Sequence, residues 1–380
     1  MRSSTGRITS CDPPDGSSDG KAPMHVRHQV SLATLTTLEI GGPAATVIHH
    51  RDATEWDAVA RLASADGFTP LTLGCGSNVL AADTGVQAPV IKMETSGLTF
   101  EEAPGGDAVL VTVQAGHLLQ DLVDTAIAEN LGGLESLTGI PGTVGATPIQ
   151  NVGAYGIEVA DTLTAVHAWD WQQRKTFRLG AADCHLGHRT SQFKHSDQWT
   201  ILAVQFLLPR TKQSVPITYG QVADELGVKP GTSVPLAEAA EAVLAVRRSK
   251  GMVLDPTDPD HRSAGSVFLS PPVSIGQAAA LTRQGMPLHH FADGTNRVSA
   301  SWLIKQAGFS LGESLVPGVR ISAKQYTLVT DGRATADDFT QAAAKIACAV
   351  EAHTGICLTP ELDLFGAQPR YVQMRDGRQP

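Results

Sequence analysis

The chain has 380 residues, of which 42% are hydrophobic, and its formal net charge is −9. This length predicts two or three domains, and the acidic balance argues against a protein that binds nucleic acid through a basic surface. No apolar run reaches the roughly 18 residues of a membrane helix, and the five scattered cysteines form neither a disulfide framework nor a zinc motif. We therefore expect a cytoplasmic protein without membrane or nucleic-acid partners.

The first 26 residues are mostly Ser, Gly, Pro, Asp and Lys, a composition too polar to form a packed core. They also lack the apolar stretch of a secretory signal. We expect residues 1–26 to form a disordered extension. Met24 opens the first sequence that has the character of a folded segment, so translation starting at Met24 is an alternative to Met1.

Helical and strand-like patterns alternate irregularly, which predicts an α+β fold rather than a doubly wound sheet. Thr335 is expected to cap the last helix, with Asp338 at its third position. In chain order, the predicted elements are a helix at Ala53–Asp66, strands at Leu71–Leu73 and Val109–Val113, a helix at Leu119–Leu131, a strand-like region from Asp161 to Leu208 that includes Thr200–Leu208, a helix at Leu236–Arg248, a loop at Gly251–Gly265, helices at Ile275–Gln284 and Ser299–Gln306, a strand at Tyr326–Thr330, and a helix at Ala336–His353.

Two glycine-rich segments, Gly74–Asn78 and Thr138–Pro148, stand out between these elements. Glycine allows successive backbone N–H groups to converge on an anion, although either segment alone could be an ordinary turn. Together they favour a ligand with two phosphates. Neither matches the fingerprint of a doubly wound dinucleotide-binding domain or a Gly-Lys-Ser/Thr phosphate loop, so an NAD(P) dehydrogenase of that kind is disfavoured.

The segment Ile140–Gly156, IPGTVGATPIQNVGAYG, closely resembles the flavin-binding signature of UDP-N-acetylenolpyruvoylglucosamine reductases. The resemblance continues in the same order and spacing from about Leu35 to Phe365. It is carried by LGCGSNVL at Leu73–Leu80, ITYG at Ile217–Gly220, SAGS at Ser263–Ser266 followed by Phe268, and TPE at Thr359–Glu361. The ITYG segment resembles the extra substrate loop of the type I branch.

The resemblance implies a three-domain flavoprotein with a two-part FAD-binding region, as in vanillyl-alcohol-oxidase-type flavoproteins, and a C-terminal α+β substrate-binding domain. The implied boundaries are 27–94 together with 356–380, 95–250, and 255–355. The implied activity is NADPH-dependent, FAD-mediated reduction of UDP-N-acetylglucosamine-enolpyruvate to UDP-N-acetylmuramate in peptidoglycan precursor synthesis. A monomer that acts on a small-molecule substrate is expected.

The resemblance also implies roles for individual residues. Ser266 occupies the proton-donor position, although serine after glycine is usually a cap or turn residue. Arg189 and Glu361 occupy the positions of the enolate-stabilising pair, although either alone could be a surface ion pair. The implied FAD-binding residues are Gly74, Gly76, Ser77, Asn78, Ile140, Pro141, Gly142, Gly145, Ala146, Thr147, Gln150, Asn151, Gly153 and Ala154, and the implied substrate-binding residues are Tyr219, Lys250, Arg247, His188 and Ser270.

Some positions depart from the family pattern. His188 stands where tyrosine is usual, Ser270 where asparagine is usual, Thr359 where glutamate is usual, and Tyr326 where some members have glutamine. These changes fall on substrate recognition, which leaves open a paralogous reductase or oxidase that acts on a related sugar nucleotide. An oxidase could tether its flavin through His117 or Cys75. The histidines near position 190 lack the partners of a metal site, so no metal is expected.

Overall fold

The computed structural model describes residues 24–283, 285–286, 288–290 and 294–367. Most of the predicted disordered extension lies outside these residues, as do position 284 at the end of one predicted helix and the tail from 368 onward. The chain divides into two compact units. The first unit comprises the chain up to Val30, Ala44–Cys75 and Gln87–Asp258, and the second unit comprises Ser31–Pro43, Gly76–Val86 and the chain from Pro259 onward.

Helices and strands are mixed throughout the described residues. The helices are α1 (Trp56–Ala63), α2 (Leu119–Ala128), α3 (Gly220–Leu226), α4 (Leu236–Ser249), α5 (Ile275–Thr282), α6 (Ala300–Gln306) and α7 (Ala336–Thr354). The strands are β1 (His25–Ser31), β2 (Pro43–His50), β3 (Leu71–Leu73), β4 (Val79–Ala81), β5 (Val90–Met93), β6 (Leu98–Glu102), β7 (Ala108–Gln114), β8 (Gly153–Ala154), β9 (Ile157–Glu158), β10 (Leu163–Asp170), β11 (Lys175–Gly180), β12 (Trp199–Pro209), β13 (Pro272–Val273), β14 (Leu288–His290), β15 (Asn296–Val298), β16 (Ser314–Val316), β17 (Val319–Ile321), β18 (Leu328–Thr330) and β19 (Asp363–Phe365).

The first unit is built on two larger sheets, with β8 and β9 forming a small additional antiparallel pair. One has the strand order β1-β2-β5-β3, in which β5 runs parallel to both β2 and β3. The other has the order β11-β10-β12-β7-β6 and its neighbouring strands are antiparallel. On β7, Val109, Val111 and Val113 alternate into the core, as one buried sheet face requires. Helix α2 buries its apolar stripe in the same core.

The second unit has its core around α7. Phe339 is fully buried there, together with the apolar residues of β17 and β18. Thr335 Oγ1 accepts from the Asp338 amide at 3.0 Å, and the Asp338 carboxylate accepts from the Thr335 amide at 2.9 Å. This capping box satisfies donors that the first turn of a helix leaves unpaired. Strands β4 and β19 pair in parallel, which brings the segment after the first glycine-rich loop beside the end of the described chain.

Most predicted elements are confirmed within a few residues, although several strands, among them β1, β2, β5 and β6, were not predicted. The strand-like region expected from Asp161 to Leu208 is interrupted between β11 and β12. The strand expected from Tyr326 begins only at Leu328, because a turn closed by the Thr327 amide and the Gln325 carbonyl, 2.9 Å apart, precedes it. Strand β12 includes Pro209, which pairs with Ala108 at the end of the ladder. Helix α3 was not predicted, although Gly227, with a φ of 66°, marks its end. The boundaries of the three expected domains stay a prediction.

Candidate active site

The two predicted flavin loops meet in the first unit at Gly74 and Thr143. A Cβ atom on Gly74 would lie 2.5 Å from Thr143 Oγ1, so any larger residue would force the Thr143 side chain or the loop to shift. The Lys92 ammonium group donates a hydrogen bond to the Gly74 carbonyl oxygen and fixes the orientation of that peptide. The rest of the first loop, Gly76 to Asn78, belongs to the second unit. There, the Asn78 carbonyl accepts from the Asp363 amide at 3.0 Å.

The second flavin loop is held by backbone pairing with the segment before α2. The Val144 and Gly145 amides donate to the His117 and Ala115 carbonyl oxygens, each at 2.8 Å. A Cβ atom on Gly145 would lie 2.5 Å from the Ala115 side chain, so glycine is required here too. The Ala146 and Thr147 amides are also satisfied within the loop. The donors from 144 to 147, which looked in sequence like part of an anion cradle, are therefore already in use.

The amides that remain are those of Gly142 and Thr143. Neither N–H group has a hydrogen-bond partner within the part of the chain that the structure describes. Thr143 is buried, and a buried donor without a partner costs about 1–3 kcal/mol. Two adjacent unused donors, beside the Gly74 loop, are the kind of anion-binding concavity that a diphosphate occupies. The loop therefore fits the diphosphate of a dinucleotide cofactor such as FAD.

Arg189 is anchored to the end of the second flavin loop. Its guanidinium group donates to the carbonyl oxygens of Asn151 at 3.1 Å and Gly153 at 2.6 Å. The Asn151 side chain is buried and donates to Glu158 at 2.8 Å and to the Gly187 carbonyl at 3.1 Å. Arg189 is therefore held by hydrogen bonds to the end of this loop. The alternative of a solvated surface ion pair does not account for these contacts.

Two more cations or potential cations lie along this network. The Lys194 ammonium donates to Gln150 Oε1 at 3.2 Å, which places it beside another predicted flavin residue. His188 Nδ1 lies 4.0 Å from Glu158 Oε1, so the residue that departs from the family tyrosine is next to a carboxylate.

A cluster of two tyrosines and two cations forms where the second loop meets α3 and α4. The rings of Tyr155 and Tyr219 pack edge to face with centroids 5.0 Å apart. The Lys250 ammonium lies over both, 5.8 Å and 5.4 Å from the centroids. The side chain of Arg247 is 6% exposed and donates to the Met252 carbonyl at 2.7 Å. The structure thus brings together the three predicted substrate residues Tyr219, Arg247 and Lys250.

The electrostatics of this cluster favour an anionic ligand. Burial lowers the pKa of Lys250, and the nearby Arg247 guanidinium lowers it further. Burial also lowers the pKa of Arg247, a change that Tyr155 partly opposes. Neither cation forms an ion pair with a carboxylate of the described residues, so a bound anion would stabilise both charged forms. Tyr155 was missed as a site residue, although it lies inside the motif that carries the resemblance.

Ser266 and Glu361 lie on two adjacent segments of the second unit. The Glu361 amide donates to the Val267 carbonyl at 2.9 Å, and the Leu269 amide donates to the Thr359 carbonyl at 2.9 Å. The two segments therefore run antiparallel, and Ser266 directly precedes Val267, whose carbonyl oxygen accepts from the Glu361 amide. Ser266 is exposed, and among the described residues its hydroxyl has no hydrogen-bond partner. It caps no helix, because the next one begins at Ile275.

Another predicted residue of the second unit, Ser270, lies two residues before β13. Its carbonyl oxygen is 3.5 Å from an Arg297 guanidinium nitrogen. In the described residues, no group of three or more His, Cys, Asp or Glu side chains is placed to hold a metal ion. No helix of those residues is both long enough and apolar enough to span a bilayer.

Comparison with known proteins agrees with this geometry. A family model described as the C-terminal domain of UDP-N-acetylenolpyruvoylglucosamine reductase matches residues 256–365, and one described as an FAD binding domain matches residues 44–178. The UDP-N-acetylenolpyruvoylglucosamine reductase of Saccharopolyspora erythraea is 41% identical over 358 residues, covering 91% of this chain and 97% of the relative. That of Thermobifida fusca is 42% identical, covering 89% and 97%. The chain belongs to the UDP-N-acetylenolpyruvoylglucosamine reductase family.

Membership makes the protein an FAD-dependent oxidoreductase, as the resemblance predicted. The solved structure of the reductase from Thermus caldophilus superposes with a TM-score of 0.62 at 24% identity, covering 90% of this chain and all of that one. This likeness shows a shared fold. The predicted fold class, an α+β flavoprotein with an FAD-binding region and a C-terminal α+β domain, is confirmed. The roles of individual site residues stay predictions.

Proposed function

We propose that the protein reduces the enolpyruvyl group of UDP-N-acetylglucosamine-enolpyruvate to the lactyl ether of UDP-N-acetylmuramate, with NADPH as the electron source, in peptidoglycan precursor synthesis. The observation that carries this proposal is the exposed Ser266 hydroxyl, which is tied by backbone pairing to the segment of the buried Glu361 carboxyl. A reductase of this kind needs one proton donor and one group that stabilises developing negative charge. The second unit supplies a candidate for each.

Bound FAD supplies a hydride carrier between NADPH and the vinyl carbon of the substrate. Addition of hydride to that carbon leaves negative charge on the neighbouring carbon and its carboxylate. The Ser266 hydroxyl would donate the proton that completes reduction of the double bond. Arg189, and Glu361 in its protonated form as a hydrogen-bond donor, would stabilise the charge that develops before this proton arrives.

The cationic cluster of the first unit would hold the anionic groups of the nucleotides. Lys250 and Arg247 provide two positive charges in a partly buried setting, where electrostatic attraction is stronger than in bulk water. Tyr219 is exposed at 38% and lies beside Lys250, so it is available to cover a diphosphate. The cluster concentrates positive charge in a chain of net charge −9.

An anaerobic two-step experiment tests the proposal. The purified protein is reduced with NADPH while its visible spectrum is followed, and UDP-N-acetylglucosamine-enolpyruvate is then added. Return of the oxidised flavin spectrum together with formation of UDP-N-acetylmuramate supports the proposed reaction. Reduction without reoxidation would instead favour a paralogue with another sugar nucleotide, and a protein that binds no FAD would overturn the proposal.

A further inference from the structure

A pocket of about 350 Å³ opens on the first unit. One side is formed by α1 and the turn that follows it, and the other by the hairpin between β10 and β11. The predicted flavin, catalytic and substrate residues do not line it. Its volume is at the lower end of the range of small-molecule sites, which is roughly 300–1,000 Å³.

The walls of this pocket are aromatic. Trp169 and Trp171 line one side, and Phe68, which is 48% exposed, lies on the other. The two indole rings have centroids 6.1 Å apart, and each also packs against Trp56, at 5.8 Å and 5.9 Å. The Trp171 indole nitrogen donates to Thr200 Oγ1 at 3.0 Å. These contacts fix the rings in position, and fixed aromatic surfaces suit a flat ring of a ligand.

The hairpin that carries the tryptophans is itself well ordered by Asp170. This fully buried carboxylate accepts from the Gln172 and Gln173 amides at 2.7 Å and 2.8 Å, and from the Gln198 side chain at 2.8 Å. Burial alone would raise the pKa of Asp170, but these hydrogen bonds outweigh burial and lower it. The wall of the pocket is therefore formed before any ligand arrives, which reduces the entropy cost of binding.

Two guanidinium groups complete the lining. Arg61 comes from α1 and Arg174 from the hairpin, and both are exposed. Within the described residues, neither guanidinium group donates a hydrogen bond or pairs with a carboxylate, although the Arg174 backbone amide donates to the Asp170 carbonyl. Asp57 is the acidic residue of the lining, so the pocket has one excess positive charge although the chain as a whole is strongly acidic. Arginine suits a carboxylate or phosphate because its planar fork can bind two oxygens at once.

We propose that this pocket binds a small aromatic anion, in which a system of one or two rings stacks on the tryptophans and an attached carboxylate or phosphate pairs with Arg61 and Arg174. A nucleoside monophosphate and an aromatic carboxylate share this chemistry. The pocket lining shares no residue with the proposed reaction site.

The test is calorimetric titration of the FAD-loaded protein with AMP and with phenylacetate, with adenosine and acetate as probes that lack the anion or the ring. We expect AMP, phenylacetate or both to bind, and adenosine and acetate to bind at least tenfold more weakly. Binding of AMP alone identifies a nucleotide site, and binding of phenylacetate alone identifies an aromatic-carboxylate site.

Variants separate this pocket from the nucleotide site of the proposed function. Arg61→Gln and Arg174→Gln should each weaken binding about tenfold, because each removes one charge-assisted hydrogen bond. The matched control is Arg333→Gln, because the Arg333 side chain lies in the second unit and is 90% exposed. This substitution should leave binding of the anions unchanged. The proposal would be overturned if neither anion binds, or if the double variant of Arg61 and Arg174 leaves binding unchanged. Neither outcome would bear on the proposed reductase function.

Discussion

At position 74, a single missing side chain decides how closely the two flavin loops approach. A Cβ atom there would lie 2.5 Å from Thr143 Oγ1, so the buried Thr143 or the loop that carries it would have to move. Overpacking of this kind costs about 1–3 kcal/mol. We therefore expect Gly74→Ala to weaken FAD binding by about tenfold or more, measured by titration of the FAD-depleted protein with FAD and flavin fluorescence.

The control for this substitution is Gly276→Ala. Gly276 lies in α5, and apart from its chain neighbours and the backbone of its own helix no atom of the described residues is within 4 Å of the position that its Cβ would take. Alanine there should leave FAD affinity unchanged and stabilise the helix slightly, since alanine has the higher helix propensity. Equal FAD affinity of Gly74→Ala and the wild type would show that the loops can separate without consequence for the cofactor.

The role proposed for Ser266 predicts an asymmetric kinetic effect. Ser266→Ala should leave reduction of the flavin by NADPH unchanged and slow reoxidation by the enolpyruvyl substrate by about 10²–10⁴-fold, the usual contribution of a general acid. Stopped-flow absorbance at the flavin band measures both half-reactions separately. Ser310→Ala, another exposed serine of the second unit, should slow neither. Equal loss in the two half-reactions would be inconsistent with a proton donor.

On the scale of elements, the pairing of β2 with β5 makes the first unit sensitive to acid. His50 is 2% exposed and packs against Trp56, with ring centroids 5.3 Å apart. Burial lowers the pKa of His50 from 6.5 to about 4, against a weaker upward effect of Asp52. Burial alone would raise the pKa of Glu94, but hydrogen bonds from His49 and Arg51 lower it to about 2.

The two shifts act in successive pH ranges. A histidine with a lowered pKa in the fold binds a proton more readily when unfolded, so its stabilisation is complete above pH 6.5 and is lost as the pH falls towards 4. The stabilisation from Glu94 is present above pH 4.5 and is lost as the pH falls towards 2. For His50 the loss amounts to as much as about 3 kcal/mol.

Replacing His50 should therefore make the free energy of unfolding less dependent on pH in the range where His50 is titrated. We expect His50→Phe, which keeps a ring against Trp56, to remove most of the loss of stability between pH 6.5 and pH 4, measured by urea unfolding at several pH values. His28→Gln, at an exposed position of β1, is the control and should keep the wild-type profile. A profile of His50→Phe that matches the wild type would show that other groups cause the acid sensitivity.

Elements with a strong local signal were the ones that the sequence predicted well. The Thr335 cap and the apolar stripe of α7 predicted the first residue of this helix correctly, because the hydrogen bonds of a capping box are local. By contrast, α3 is seven residues long and its buried side chains, Val222 and Ala223, pack against α4, which lies further along the chain. A short helix stabilised by tertiary packing has little signal of its own.

On the scale of the whole molecule, the identity of the site residues was predictable only by resemblance, and their surroundings were not predictable at all. Glycine-rich composition indicated an anion site, but which amides are free depends on the pairing of Val144 and Gly145 with residues far away in the chain. Lys92 and Tyr155 were missed for the same reason: each acts through a contact that only the folded first unit creates.

The fit of the second loop to a diphosphate leads to a prediction about the stability of the whole protein. A ligand that binds only the folded state stabilises it by about 2.7 kcal/mol at a concentration 100 times its Kd. FAD added to the FAD-depleted protein should therefore raise its unfolding temperature in proportion to the logarithm of the FAD concentration. Riboflavin at equal concentration should raise it much less, because riboflavin has no diphosphate to accept hydrogen bonds from the Gly142 and Thr143 amides. Equal shifts with the two ligands would mean that the isoalloxazine ring alone provides the binding energy, and the diphosphate assignment of this loop would then be wrong.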